Sequence, residues 1–220
     1  MAKIPGNRFV AAALILCFIV CFMEARNAIA LIEPLQPESV REAYFFGRSS
    51  DRAKIMEFLG QYTRRFELRS GGPNVGTIEL RTPYQQVVLR SWEKQADYSA
   101  QRAQIDYTAQ SGLIQVRVYV WLDGVKAGPP VLYSGSQGQV LDRRENFWRE
   151  YRFRVTQEHL MEPRKIEGKP LYSPRGRGLA GAEVSLDFDA NGFAPREAQV
   201  EVIAPDGQTV VAKFPLDQLK

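Results

Sequence analysis

Leu113 to Leu122 alternates apolar and polar side chains, and this run constrains the fold more than any other segment. Ile114, Val116, Val118 and Val120 share one face; Gln115, Arg117, Tyr119 and Trp121 share the other. A period of two belongs to a strand with one buried face, so the chain must build a sheet over a core. Asp123-Gly124 offers a tight turn at the end of the run. Gly76 to Arg81, Val131 to Tyr133, Gln139 to Leu141, Trp148 to Thr156, Ala182 to Phe188, Gln199 to Ile203 and Thr209 to Phe214 are further strand candidates. Thr82-Pro83 interrupts the first of these, and Gln86 to Trp92 is read as its resumption. Pro205-Asp206-Gly207 joins the last two, since Pro presets φ and Gly accepts positive φ. Short alternating strands with turns between them predict an antiparallel sandwich.

Helical spacing dominates the N-terminal part. Glu38 to Phe46 places Val40, Ala43 and Tyr44 on one side and stops at Gly47. Ser50 or Asp51 then caps a second helix, in which Ile55, Phe58, Leu59, Tyr62 and Phe66 fall at i, i+3, i+4, i+7 and i+11. That stripe is expected to dock on the protein's own core, with Tyr119 and Trp121 of the main strand beneath it; the alternatives are a partner-binding helix and exposed aromatics that form a platform for sugar rings or a partner. Ser70-Gly71-Gly72-Pro73 ends the helical pattern. A short polar helix is expected over Asp97 to Gln110, capped by Asp97, with Tyr98, Ile105 and Ala109 facing inward. The predicted class is α+β, two N-terminal helices followed by an antiparallel, sandwich-like β-rich domain. The boundaries read as 1–30 for a leader, 31–70 for the helical segment and 71–220 for the β-rich domain. The basic, Gly/Pro-rich stretch Lys169 to Gly178 suggests a sub-boundary near 160–178.

The leader carries the localisation. Lys3 and Arg8 start an apolar run from Phe9 to Met23, and Ala28-Ile29-Ala30 supplies small residues for a signal peptidase. The run is 15 residues long, against ~20 for a membrane-spanning helix. The expectation is an exported protein, periplasmic or extracellular, cleaved after Ala30; an uncleaved N-terminal anchor is the rival reading. Cys17 and Cys21 both lie in the leader, and neither follows the pattern of a lipidated cysteine. The mature chain is therefore free of cysteine, which removes disulfides, thiol nucleophiles and Cys-ligated metals. Removing the leader lowers the net charge from +4 to +2. That balance is too mild to point to nucleic acid. Membrane association is expected only through an uncleaved leader or head-group contact.

Charge is concentrated between Arg143 and Arg177, where ten Arg and Lys face five Glu. Trp148, Tyr151, Phe153 and Tyr172 interleave with them. The planar guanidinium suits carboxylate and phosphate groups. Arg149, Arg152, Arg154, Arg175 and Arg177 are therefore the candidate binding residues, for a protein partner or an anionic envelope polymer. The bland alternative is a solvated strand face with cross-strand Arg–Glu pairs.

Other motifs are weaker. Asp187-Phe188-Asp189-Ala190-Asn191-Gly192 matches the first half of a calcium loop, with oxygen ligands at Asp187, Asp189 and Asn191 and Gly at the sixth place. Ala198 stands where the bidentate acid belongs and Pro195 at the ninth place, so the segment reads equally as a strand end entering an Asn-Gly turn. No other cofactor is implied. Asp187 and Asp189 also sit at the i, i+2 spacing of a carboxylate pair, ~6.6 Å apart along a strand. Ser91 and Lys94 fit S-x-x-K without the companion motifs. His159 is the single histidine, and neither a G-x-S-x-G elbow nor a Walker loop is present. The residues favour an exported, non-catalytic binding or scaffolding protein of the cell envelope. An exported hydrolase of the glycosidase or serine class, or a calcium-stabilised adhesion-type domain, is the alternative.

Overall fold

The computed structural model describes residues 34–68, 74–94, 97–110, 112–122, 145–172 and 179–220. The leader, the strand candidates at 131–133 and 139–141, the turn at 123–124 and the break at 70–73 lie outside the described residues. Four helices and nine strands are described: α1 Pro37–Gly47, α2 Arg52–Gln61, β1 Thr63–Arg65, β2 Asn74–Arg81, α3 Pro83–Glu93, α4 Ala100–Gln110 and β3 Leu113–Trp121, followed by β4 Arg152–Thr156, β5 Leu160–Met161, β6 Lys165–Tyr172, β7 Leu179–Asp189, β8 Glu197–Ile203 and β9 Thr209–Pro215. The fold is α+β with a β-rich domain. A five-stranded sheet runs β1-β2-β3-β7-β6 and a four-stranded sheet runs β5-β4-β8-β9. Every pairing is antiparallel.

The two sheets share one core. Ile114, Val116, Val118 and Val120 of β3 and Val184, Leu186 and Phe188 of β7 meet Val155, Val200, Val202 and Phe214 of the other sheet. The alternation in β3 is as expected from the sequence, with the four β-branched residues fully buried. The turn after β8 also follows its residues: Gly207 takes φ +84° and donates its N–H to the Ala204 carbonyl. Strands beyond residue 165 do not stand apart. β7 is central in the first sheet, and β8 pairs with β4 in the second.

Several expectations need correction. Gln86 to Trp92 is not a strand but part of α3. Thr82 caps that helix, its Oγ1 accepting the Gln85 N–H at 3.2 Å, and Pro83 occupies the first turn. Tyr84, Val87, Val88 and Ser91 are then buried at i, i+3, i+4 and i+7, the spacing of one helix face. The polar helix starts at Ala100, with Ser99 rather than Asp97 accepting the first-turn N–H of Arg102. Ala103 and Tyr107 are its inward residues, while Ile105 and Ala109 are exposed. Finally, the stripe of α2 stops at Tyr62, because Thr63 to Arg65 turns into β1 and pairs with β2. Asp51 caps α2 as expected, accepting the Lys54 N–H at 3.1 Å.

Lys169 to Tyr172, read as part of a linker, belongs to β6. Pro170 is tolerated there because β6 is an edge strand and its outward N–H positions need no partner.

The helices form a second, smaller core from Leu35, Val40, Ala43, Tyr84, Val87, Val88, Tyr98, Ala103 and Tyr107. No strand residue belongs to that cluster. α1 and α3 cross closely at Gly47: a Cβ there would lie 2.4 Å from the Val88 carbonyl oxygen and 2.9 Å from Ser91 Cβ. Phe58 joins the two cores, its ring 5.1 Å from that of Phe46, 5.0 Å from Tyr62 and 6.0 Å from Tyr84. Lys220 completes the junction. The Tyr62 hydroxyl donates to the Lys220 carbonyl at 2.9 Å and accepts its N–H at 3.1 Å. Thr82 donates to the same carbonyl. The Lys220 ammonium bonds Glu42 at 2.9 Å and lies 5.4 Å from the Tyr84 ring centre.

Two predictions follow from this packing. Gly47→Ala is expected to destabilise the protein by ~1–3 kcal/mol through overpacking, despite alanine's better helix propensity. An unchanged denaturant midpoint would show that the helix crossing is looser than the geometry indicates. Burial pushes the Tyr62 hydroxyl up to about 12 from 10.0. Its folded value is raised, so its contribution to stability is complete below pH 10 and is lost as pH rises towards 12. Tyr62→Phe should flatten part of the alkaline unfolding limb, measured by denaturation across that range. A limb of unchanged slope would remove Tyr62 from the account.

Candidate functional site

The described part of the arginine cluster centres on β4. Arg152 and Arg154 both point to solvent from this strand, while Tyr151 and Val155 are buried. Residues two apart on a strand lie ~6.6 Å from each other. Arg154 faces Glu201 of β8 in register and contacts it at 3.5 Å, with 49% and 27% of the two side chains exposed. Such a long, solvated pair contributes little. Arg152 stands opposite Ile203, and among the described residues no carboxylate forms an ion pair with it. Arg149 sits in the 3-10 turn Phe147–Glu150 before β4, its guanidinium carbon 5.5 Å from the Trp148 ring centre. Exposed Leu160 of β5 and Val211 of β9 lie on strands of the same sheet. Arg175 and Arg177 are outside the described residues. Arg164, Lys165 and Lys169 belong to the other sheet or its approach, so the basic stretch is divided between the two layers.

The aspartate segment reads as a strand end. Asp187 Oδ1 accepts the Gln115 amide at 2.8 Å across β3 and β7. Asp189 accepts the Asn191 N–H at 3.1 Å, starting the 3-10 turn Ala190–Gly192, and pairs with Arg164. The two aspartates proposed as calcium ligands thus have protein partners, and Asn191 is exposed at the turn. Among the described residues no group of three or more His, Cys, Asp or Glu is placed to hold a metal ion.

Ser91 is fully buried, and its hydroxyl donates to the Val87 carbonyl at 2.7 Å. The Lys94 ammonium lies 5.4 Å from the centre of the Tyr98 ring. His159 is exposed in the turn between β4 and β5.

The outward face of the five-stranded sheet differs from the sequence expectation. Tyr119 and Trp121 are half-buried, but the α2 stripe does not cover them; Phe58 and Leu59 pack with the helical and junction residues instead. Arg117 donates to Gln115 Oε1 at 2.7 Å and pairs with Glu183 at 2.9 Å; Arg81 and Glu79 pair at 2.7 Å. Burial raises the Tyr119 hydroxyl, with the Glu79 and Glu183 charges adding to it. Glu79, Arg117 and Glu183 meet only because β2, β3 and β7 are adjacent. Their alternation was legible in the sequence, whereas the strand order that joins them was not.

No protein-family model matches this sequence, and no curated protein matches it. Among the described residues no helix is long and apolar enough to cross a membrane.

One prediction concerns the aspartates. With Asp189 held by Arg164 and Asn191, the thermal midpoint is expected to be the same in calcium as in EDTA. A midpoint that rises with calcium would mean the ion displaces Arg164 and builds a site there.

Proposed function

We propose that this is an exported, non-catalytic binding protein of the cell envelope. Its solvent-facing four-stranded sheet engages an anionic partner. The observation that carries this reading is the pair Arg152 and Arg154 on the exposed side of β4, answered by one loosely placed carboxylate, Glu201. Arg149, beside Trp148 in the turn before β4, is a further exposed cation. Planar guanidinium groups at strand spacing suit repeated carboxylates or phosphates. Leu160 and Val211, 51% and 41% exposed, add apolar contact area on the same sheet.

The non-catalytic part of the reading is supported by the weaker motifs. The Ser91 hydroxyl is buried against a backbone carbonyl, and Asp187 and Asp189 each hold a protein partner. Export is supported by the leader composition of residues 1–30.

Charge reversal tests the arginine face. Arg152→Glu with Arg154→Glu should release the protein from envelope fractions with at most a small drop in thermal midpoint, from the new carboxylate set opposite Glu201. Capture of a polymer that fails at high salt, or of an acidic protein that survives it, would distinguish the two sources of anion. Retention unchanged in the double variant would refute the arginine face as the binding surface.

A further inference from the structure

β9 ends the order of the four-stranded sheet and pairs with β8 alone. The hairpin bond from the Ala204 N–H to the Gln208 carbonyl fixes which of its backbone groups turn toward β8. These alternate in an antiparallel pair, so Val210, Ala212 and Phe214 bond β8 while Thr209, Val211 and Lys213 turn away. Two further bonds agree with that assignment. The Leu216 N–H donates to the Arg196 carbonyl, continuing the register, and Arg64 Nε of β1 reaches the outward Lys213 carbonyl at 3.1 Å. Among the described residues, the outward N–H groups of Thr209, Val211 and Lys213 have no hydrogen-bond acceptor. Thr209 and Val211 are exposed.

Native sheets blunt their edges with short strands, proline, bulges or charge. The other edges of the two sheets carry such devices. β1 has three residues and β5 two. β6 has Pro170, a register shift between Leu171 and Tyr172, and the Trp148 indole packed where a Gly168 Cβ would stand. β9 runs seven residues, Thr209–Pro215, with no glycine, no register shift and no proline before its last position. Its one charged side chain, Lys213, is paired with Glu197 at 2.9 Å. Unpaired backbone groups at every second residue, ~6.8 Å apart, match the repeat of another strand.

We propose that β9 takes up an extended, acidic segment of a partner protein as a fifth strand of this sheet. Backbone bonds to Thr209 and Val211 supply the affinity. Arg64 supplies the charge preference. It is held at the edge by the Lys213, Gln61 and Thr63 carbonyls, with its guanidinium carbon 4.8 Å from the Phe214 ring centre. Among the described residues no carboxylate pairs with it. A carboxylate on the incoming strand beside Lys213 therefore meets a fixed, unneutralised guanidinium. Val210 and Val211 lie on opposite faces of β9, so each face of the incoming strand gains a β-branched neighbour and favours β-branched residues in turn. A second copy of β9 is a poorer occupant, because its sequence TVVAKFP brings a lysine and no carboxylate. The edge is separate from the outward arginine face, so the proposal does not rest on that reading.

Fluorescence polarisation of labelled heptapeptides with the protein in the form the cell produces tests this. The probes are acidic TVEVEVT, basic TVKVKVT and proline-interrupted TPEVPET. The first should bind more tightly than either of the others by about tenfold or more. Val211→Pro should weaken it by about as much, since the ring removes an outward N–H and leaves the β8 bonds of Val210 and Ala212 in place. Arg64→Gln should remove the preference for the acidic over the basic peptide. The Arg152→Glu, Arg154→Glu variant should bind the acidic peptide within a few-fold of the unaltered protein. Should Val211→Pro lose the fold, amide exchange of the unaltered protein carries the same expectation: bound peptide should slow the Thr209 and Val211 amides. Binding of the acidic peptide no tighter than that of the other two, or binding that leaves those two amides exchanging as before, would overturn the proposal. So would a dimer of the protein alone that Val211→Pro disperses, since the edge would then belong to a second copy.

Discussion

The pairing of β3 with β7 is the interaction on which the rest of the structure depends. Nine consecutive registers join Leu113–Trp121 to Gly181–Asp189. On the inward side this sets Ile114, Val116, Val118 and Val120 beside Phe188, Leu186, Val184 and Ala182, all buried. Burying apolar surface at ~25 cal/mol per Å² is the main driving force available to residues 31–220, which contain no cysteine. The same pairing sets the outward side, because a period of two leaves no freedom over which residues face solvent. Gln115 meets Asp187 and Arg117 comes within reach of Glu183 as a consequence of that core.

Much of this was legible in the sequence where the period was unambiguous. β3, β7, β8 and β9 have clean alternation, and the Pro205-Asp206-Gly207 turn names its own geometry. The misreading at Gln86 to Trp92 came from a short apolar run that fits either period. Thr82 as cap and Pro83 in the first turn decided it for helix. β6 was hidden by Gly168 and Pro170, residues that an edge strand accepts and a central strand does not.

The surfaces were legible only residue by residue. The exposure of Arg152 and Arg154 followed from alternation with Tyr151 and Val155. The placement of Tyr119 and Trp121 under a helix did not hold, since the α2 stripe meets Phe46, Tyr62 and Tyr84 instead. Nothing local to Trp121 announces that Gly76 and Gly181 flank it. Those contacts come from non-local pairing, and strand order is set by the whole core rather than by any one segment.

The two outward sheet faces differ in kind: solvent-facing arginines on one, and largely buried ion pairs beside half-buried Tyr119 and Trp121 on the other. Both depend on a sandwich whose rigid centre is β3 and β7, with the helices as a separate layer joined at Phe58, Tyr62 and Lys220. Native-state amide hydrogen exchange tests that arrangement most directly. The account predicts the slowest exchange at Val116 to Val120 and Val184 to Leu186, with the α1 and α4 amides exchanging earlier. Helical amides that outlast those of β3 and β7 would contradict it, placing the stable centre in the helical layer.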